Sequence, residues 1–154
     1  DDGRLEYQKF AEDEMVLVVP PTHPWASRSS VKANELPSQP FLIRERGSGT
    51  RKIMEQALEE HNLSMGAFRV TGERGNNAAI RQAVKTGGGI AIISKLAVAS
   101  DIKHRELNAI PVAGLKLTRE FYLITHRHRS RSPICNAFLK FVSAPTLPGT
   151  PHHP

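Results

Sequence analysis

The sequence predicts an α/β domain: a parallel sheet with helices on its faces, accompanied by part of a second lobe. Three observations carry this. Strand-sized apolar runs alternate with helix-period segments through the centre of the chain. Those runs are apolar on both faces, as in a sheet covered from both sides. A chain of 154 residues with 39% hydrophobic and 23% charged residues can close one core or two small lobes, and is too apolar for wholesale disorder.

Taken in order, Leu5–Phe10 is a weak strand with too little around it to form a core. Met15–Val19 is continuously apolar and β-branched, hence a buried strand, and the prolines from Pro20 to Pro24 end it. Phe41–Ile43 is a short strand broken by Gly47-Ser48-Gly49-Thr50. Ile53, Met54, Ala57, Leu58 and His61 then share a helical stripe, with Asn62 as its C′ stop. Phe68–Thr71 is a strand, after which Asn76 or Asn77 caps a helix carrying Ile80, Ala83 and Val84 on one face. Gly87-Gly88-Gly89 ends that helix, and Gly89–Ile93 is a strand apolar on both sides. Leu96–Ile102 reads as a helix, Leu107–Val112 and Glu120–Thr125 as strands. Pro133 opens a last helix whose Ile134, Ala137, Phe138, Phe141 and Val142 make a broad apolar face. The expected division is a principal lobe over 14–100, with 1–13 and 101–144 as the remnant of another. Four prolines in 144–154 and no periodicity predict a disordered tail over 145–154.

Net charge is +6, a bias toward anionic partners. No apolar run approaches the 18 residues of a membrane span, so no membrane partner is expected. The single cysteine, Cys135, excludes an internal disulfide framework and a multi-cysteine zinc site, which fits a reducing cytoplasm. No signal peptide is visible, and the chain opens on Asp1 rather than Met, as a processed or excised product would.

Ligands of parallel sheets bind beyond the carboxyl ends of the strands. Three such ends carry unusual loops: Arg44–Thr50, Glu73–Asn77 and Ser94-Lys95. Two of them open helices, whose unpaired N–H groups suit a carboxylate or phosphate. Ser48, Thr50, Asn76 and Ser94 supply neutral hydrogen-bonding groups; Arg44, Arg51 and Lys95 supply charge. Each residue alone reads as an ordinary helix cap; their convergence on one edge favours a binding site for a small anion. Gly47–Lys52 lacks the Gly-Lys-Ser/Thr ending of a phosphate-binding loop, and the triple glycine lies before a strand rather than after one. No catalytic constellation, metal site or cofactor is expected. His126 and His128 lack a third ligand, His152-His153 lie in the tail, and the basic run His126–Arg131 has no interleaved aromatics, so it reads as a solvated connector.

Several segments share order and spacing with one family. Phe10-x-x-Asp13-Glu14-x-Val16-Leu17-Val18-Val19-Pro20, then His23-Pro24-Trp25-Ala26, resembles part of the LysR-type transcriptional regulators. So do Glu35-Leu36 before Pro40-Phe41, Arg44-Glu45-x-Gly47-Ser48-Gly49-Thr50-Arg51, and Ala83-Val84-x-x-Gly87-x-Gly89-Ile90-Ala91-Ile92-Ile93-Ser94. Phe121-Tyr122-Leu123, Ser132-Pro133 and Ala137-Phe138-Leu139-x-Phe141-Val142 complete the match, which runs from about Leu5 to Ala144.

The resemblance implies an effector-binding (co-inducer) domain, like a type 2 periplasmic binding protein with Rossmann-like lobes, two hinge strands and a ligand in the interlobe cleft. It implies that the chain lacks the winged helix-turn-helix through which such regulators hold DNA, and half of the first lobe. It places effector contacts on Ser48, Gly49, Thr50, Asn76, Asn77 and Ser94, and it implies dimers. Three readings stay open: a regulator's sensing domain, an exported solute receptor of the same architecture, and an enzyme on that fold.

Overall fold

A computed structural model describes residues 3–143. The predicted tail over 145–154, with His152 and His153, lies outside the described residues. Two compact units result: 13–119, and a smaller one whose described parts are 3–12 and 120–143.

In the larger unit, β1 (Leu5–Val19) enters as a single 15-residue strand, joining the two strands expected on either side of Ala11–Asp13. Its last five residues are buried, lying between the strands Ile90–Ser94 and Asn108–Ile110 in the sheet. β2 (Val31–Lys32) and a 3-10 turn over Ala33–Ser38 lead to β3 (Pro40–Arg44). Then come α1 (Gly49–Glu59), β4 (Arg69–Arg74), α2 (Asn77–Lys85), β5 (Ile90–Ser94), α3 (Lys95–Lys103), β6 (Asn108–Ile110) and β7 (Val112–Ala113). β8 (Thr118–His126) pairs with β1, and α4 (Pro133–Ser143) follows.

The sheet order is β4-β3-β5-β1-β6. The predicted strand–helix alternation is parallel, β3 pairing with both β4 and β5. The sheet as a whole is not. β1 runs antiparallel to β5, with Met15 opposite Ser94, and antiparallel to β6. A strand buried on both faces reports that helices cover the sheet, not which way it runs. Pro111 divides the strand expected at Leu107–Val112: β6 stays on β1, while Val112 moves to a two-stranded ladder with Val31. Because β6 and α3 pack on this sheet, the larger unit extends to Arg119 instead of ending near 100.

Alternate residues face opposite layers. Met15, Leu17 and Val19 meet Phe41, Ile43, Ile90 and Ile92 under α1, with Met54, Ala57 and Leu58. Val16 and Val18 meet Leu42, Ala91 and Ile93 under α2 and α3, with Ile80, Val84 and Val98. Each Val, Leu, Ile, Met or Phe among these contributes roughly 1.5–3 kcal/mol on burial. Trp25 packs into the first layer, 8% exposed, with Arg28 over its ring.

Helix ends follow local chemistry. Asn62 adopts φ 57° after α1; its N–H donates to the Glu59 carbonyl and that of Leu63 to the Leu58 carbonyl, the Schellman pattern. At Gly89 (φ 146°) a Cβ would sit 2.5 Å from the Pro40 carbonyl oxygen, so only glycine lets β5 begin there.

In the smaller unit the Arg127 N–H donates to the Arg4 carbonyl, joining the end of β8 to the start of β1. Ser132 accepts from the Cys135 N–H and caps α4. No residue of α4 is buried: Ile134, Phe138 and Phe141 are 80%, 55% and 81% exposed. No helix among the described residues is long and apolar enough to cross a membrane.

Candidate functional site

The predicted site residues lie at the carboxyl ends of β3, β4 and β5. Ser48 precedes α1 in an extended conformation and makes no side-chain cap bond, so its hydroxyl is not consumed as a cap. Gly49, Thr50 and Arg51 form the first turn of α1, whose backbone N–H groups have no partner within the helix. Asn76 does cap: its Oδ1 accepts from the Ala79 N–H at 2.8 Å. β5 runs straight into α3 with no loop between them, and Ser94 caps that helix by accepting from the Ala97 N–H at 3.3 Å.

Two arginines tie the loops together. Arg44 Nη1 donates to Asn77 Oδ1 at 2.6 Å, joining β3 to the start of α2. Arg51 Nη1 donates to the Arg44 carbonyl at 3.1 Å. The structure therefore brings Arg51 and Asn77 around the end of β3.

The expected charges are already matched by carboxylates. Arg44 grips Glu45 through Nε and Nη2 at 2.7 and 2.8 Å. Arg51 pairs with Glu55 at 2.7 Å and with Glu73 at 2.8 Å. Lys95 pairs with Glu14 at 2.6 Å. Hydrogen bonds donated to Glu55, then to Glu73, hold Arg51 above its ordinary pKa, and Arg44 holds the Glu45 carboxyl below its own. Arg44, Arg51 and Lys95 thus organise the edge, their charges matched within the protein. Arg46 and Lys52, both exposed, line a 360 Å³ cavity with Gly47, Ser48, Arg51 and Glu55. Their position beside Gly47–Thr50 was the signal for them in the sequence.

Two further residues carried no such signal. Asp13 and Arg119, 106 positions apart, form an ion pair at 2.7 Å, and they also contact the predicted residues: Ser94 Oγ donates to Asp13, and Arg119 to Thr50. Elsewhere, the rings of His126 and His128 lie edge to face, 6.1 Å apart, and no group among the described residues has three side chains able to hold a metal ion.

Comparison with known proteins gives this edge a context. The family model described as the LysR substrate binding domain matches residues 1–145. The RuBisCO operon transcriptional regulator of Allochromatium vinosum is 31% identical over 138 residues, 90% of this chain and 45% of that protein. The uncharacterized HTH-type transcriptional regulator YeiE of Escherichia coli K12 is 33% identical over 141 residues, 92% of this chain and 47% of that protein. The chain thus spans under half the length of these curated relatives. The structure of the Synechocystis PCC6803 CcmR regulatory domain in complex with 2-PG superposes with a TM-score of 0.81 at 29% identity, covering 92% of this chain and 67% of that one. The effector-binding domain of QuiR in complex with shikimate, at 22% identity and TM-score 0.77, shares the fold. A match over nearly every described residue, with relatives that are transcriptional regulators, is decisive: the chain belongs to the LysR substrate binding domain family.

Proposed function

We propose that the chain is the effector-sensing domain of a LysR-type transcriptional regulator and binds a small anion at Ser48–Arg51, Asn76, Asn77 and Ser94 to modulate transcription. The observation that carries the reading is the edge itself. Two helix starts share it, Arg44 and Arg51 tie them around β3, and a cavity beside them is lined by Arg46 and Lys52. Backbone N–H groups with nearby cations favour a carboxylate or oxyanion. The CcmR regulatory domain, complexed with 2-PG, supports a small ligand in this fold.

In the whole regulator, DNA is held by a winged helix-turn-helix outside this chain, in the cytoplasm, and the chain itself performs no catalysis. Its relatives are transcriptional regulators, which supports this over an exported receptor or an enzyme. The exposed apolar face of α4 supports self-association.

The test is calorimetric titration of the chain with sulfate, phosphate, succinate, 2-PG and shikimate, repeated on Thr50→Val and Asn76→Ala. Losing a charge-assisted hydrogen bond worth roughly 1.5–3 kcal/mol weakens binding about ten- to a hundredfold. Binding that both variants leave unchanged contradicts the site.

A further inference from the structure

The larger unit buries two carboxylates. Asp101 lies between α2 and α3, where Arg81 and Lys85 neutralise it, and it joins two helices. Asp13 lies at the opposite end of the sheet, 2% exposed, and it is bound to the proposed site. Its Oδ2 accepts from Arg119 Nε and Nη2 at 2.9 and 2.7 Å. Its Oδ1 accepts the Ser94 hydroxyl at 3.0 Å. Arg119 Nη1 in turn donates to Thr50 Oγ1 at 3.4 Å. The neighbouring backbones are joined as well, the Met15 N–H donating to the Leu117 carbonyl at 2.7 Å. Thr50 and Ser94 are themselves 3% and 4% exposed, so their hydrogen bonding is dictated by protein rather than by water.

Protons in this chain of four residues run one way only. A guanidinium has no acceptor and a carboxylate no donor. Thr50 therefore gives a lone pair to Arg119 and keeps its hydroxyl proton to donate. Ser94 spends its proton on Asp13, and its oxygen, which already takes the Ala97 N–H, has capacity for a second donor. One hydroxyl is set as a donor and the other as an acceptor.

We propose that Asp13 and Arg119 are positioning residues that fix the hydrogen-bond polarity of the effector site, so that it takes a small anion that also carries a hydroxyl group. The inference rests on the effector-site reading above. The anionic oxygen meets the Thr50 donor, and the ligand hydroxyl meets the Ser94 acceptor. Asparagine at 13 removes the constraint, because its amide can offer N–H to Ser94 and turn that hydroxyl toward the ligand as a donor. Lysine at 119 keeps the charge but not the two-pronged grip that aims Nη1 at Thr50.

Malate and succinate differ by one hydroxyl and serve as matched probes, titrated calorimetrically into the chain. Wild type is expected to favour malate about five- to tenfold, the effect of one neutral hydrogen bond. Ser94→Ala and Asp13→Asn bring the ratio near one with little change for succinate. Arg119→Met weakens both ligands about tenfold and leaves the ratio in place; Arg119→Lys recovers part of that loss. Arg119→Met also strands the Asp13 carboxylate, so Asp13→Leu/Arg119→Met, which removes both charges of the pair, is measured beside it with thermal unfolding as the check on folding. In the double variant both ligands weaken and the ratio goes too. Equal binding of malate and succinate by wild type, or a ratio that survives Asp13→Asn, overturns the inference and leaves the site standing. Binding of neither probe nor of any anion named above overturns the site reading and the inference with it.

Discussion

Asp101 offers a stability test with a built-in pH control. Its side chain is 2% exposed and accepts from Arg81 Nε at 2.5 Å and Nη2 at 3.0 Å, and from Lys85. Asp101→Asn keeps the shape and removes the charge. Hydrogen bonds to charged groups contribute roughly 1.5–3 kcal/mol, and loss of a buried partner costs about 3–5 kcal/mol when the remaining charge stays dry. Arg81 and Lys85 keep 31% and 24% exposure and regain water, so the expected loss is about 2 kcal/mol at pH 7. For a chain of this size that lowers Tm by about 4–8 °C. Burial pushes the Asp101 carboxyl up, but hydrogen bonds from Arg81 and Lys85 outweigh it and hold the group below its ordinary 3.8. A carboxyl depressed in the folded state stabilises above its unfolded pKa, and that stabilisation is lost as pH falls through the folded value. The gap between wild type and variant should be full at pH 7 and close progressively below about pH 3.9. Urea unfolding across that range, with unchanged m, reads it directly. A gap below about 0.5 kcal/mol at pH 7, or one that persists in strong acid, refutes the reasoning.

Three other outcomes follow from packing and backbone geometry. Leu58→Ala, at a fully buried position under the sheet, should cost about 2–5 kcal/mol in denaturant unfolding. Asn62→Val should cost about 1–2 kcal/mol because φ is 57°, whereas Asn62→Gly should be neutral or slightly stabilising; equal effects contradict the Schellman assignment. The chain should self-associate in light scattering through Ile134, Phe138 and Phe141, and Ile134→Lys/Phe138→Lys should shift it toward monomer; a wild type that stays monomeric at high concentration contradicts this.

What the sequence revealed, and what it hid, divides by range. Helix starts and stops are local: Asn76 caps α2, Asn62 closes α1 and Pro133 opens α4, each set by its own chemistry. Apolar runs also place β3 and β5 correctly, since burial leaves its mark residue by residue. Strand direction leaves none, which is why the sequence did not show that β1 runs against β3, β4, β5 and β6. Charge pairing is equally remote from local pattern. Arg51 is matched by Glu73 across two elements, and Asp13 by Arg119 from 106 positions away, so which cations are already paired is decided by fold register rather than by spacing. The loops of the proposed site were legible in the sequence; the ion pairs that surround them were not.

The measurement closest to the central claim is an amide-resolved NMR titration of this chain with phosphate, sulfate and malate. Saturable shifts centred on Ser48–Arg51, Asn76-Asn77 and Ser94 are expected, at affinities as weak as about 1 mM. Shifts centred instead on His126–Arg131, or no shifts at concentrations on the order of 10 mM, contradict that claim.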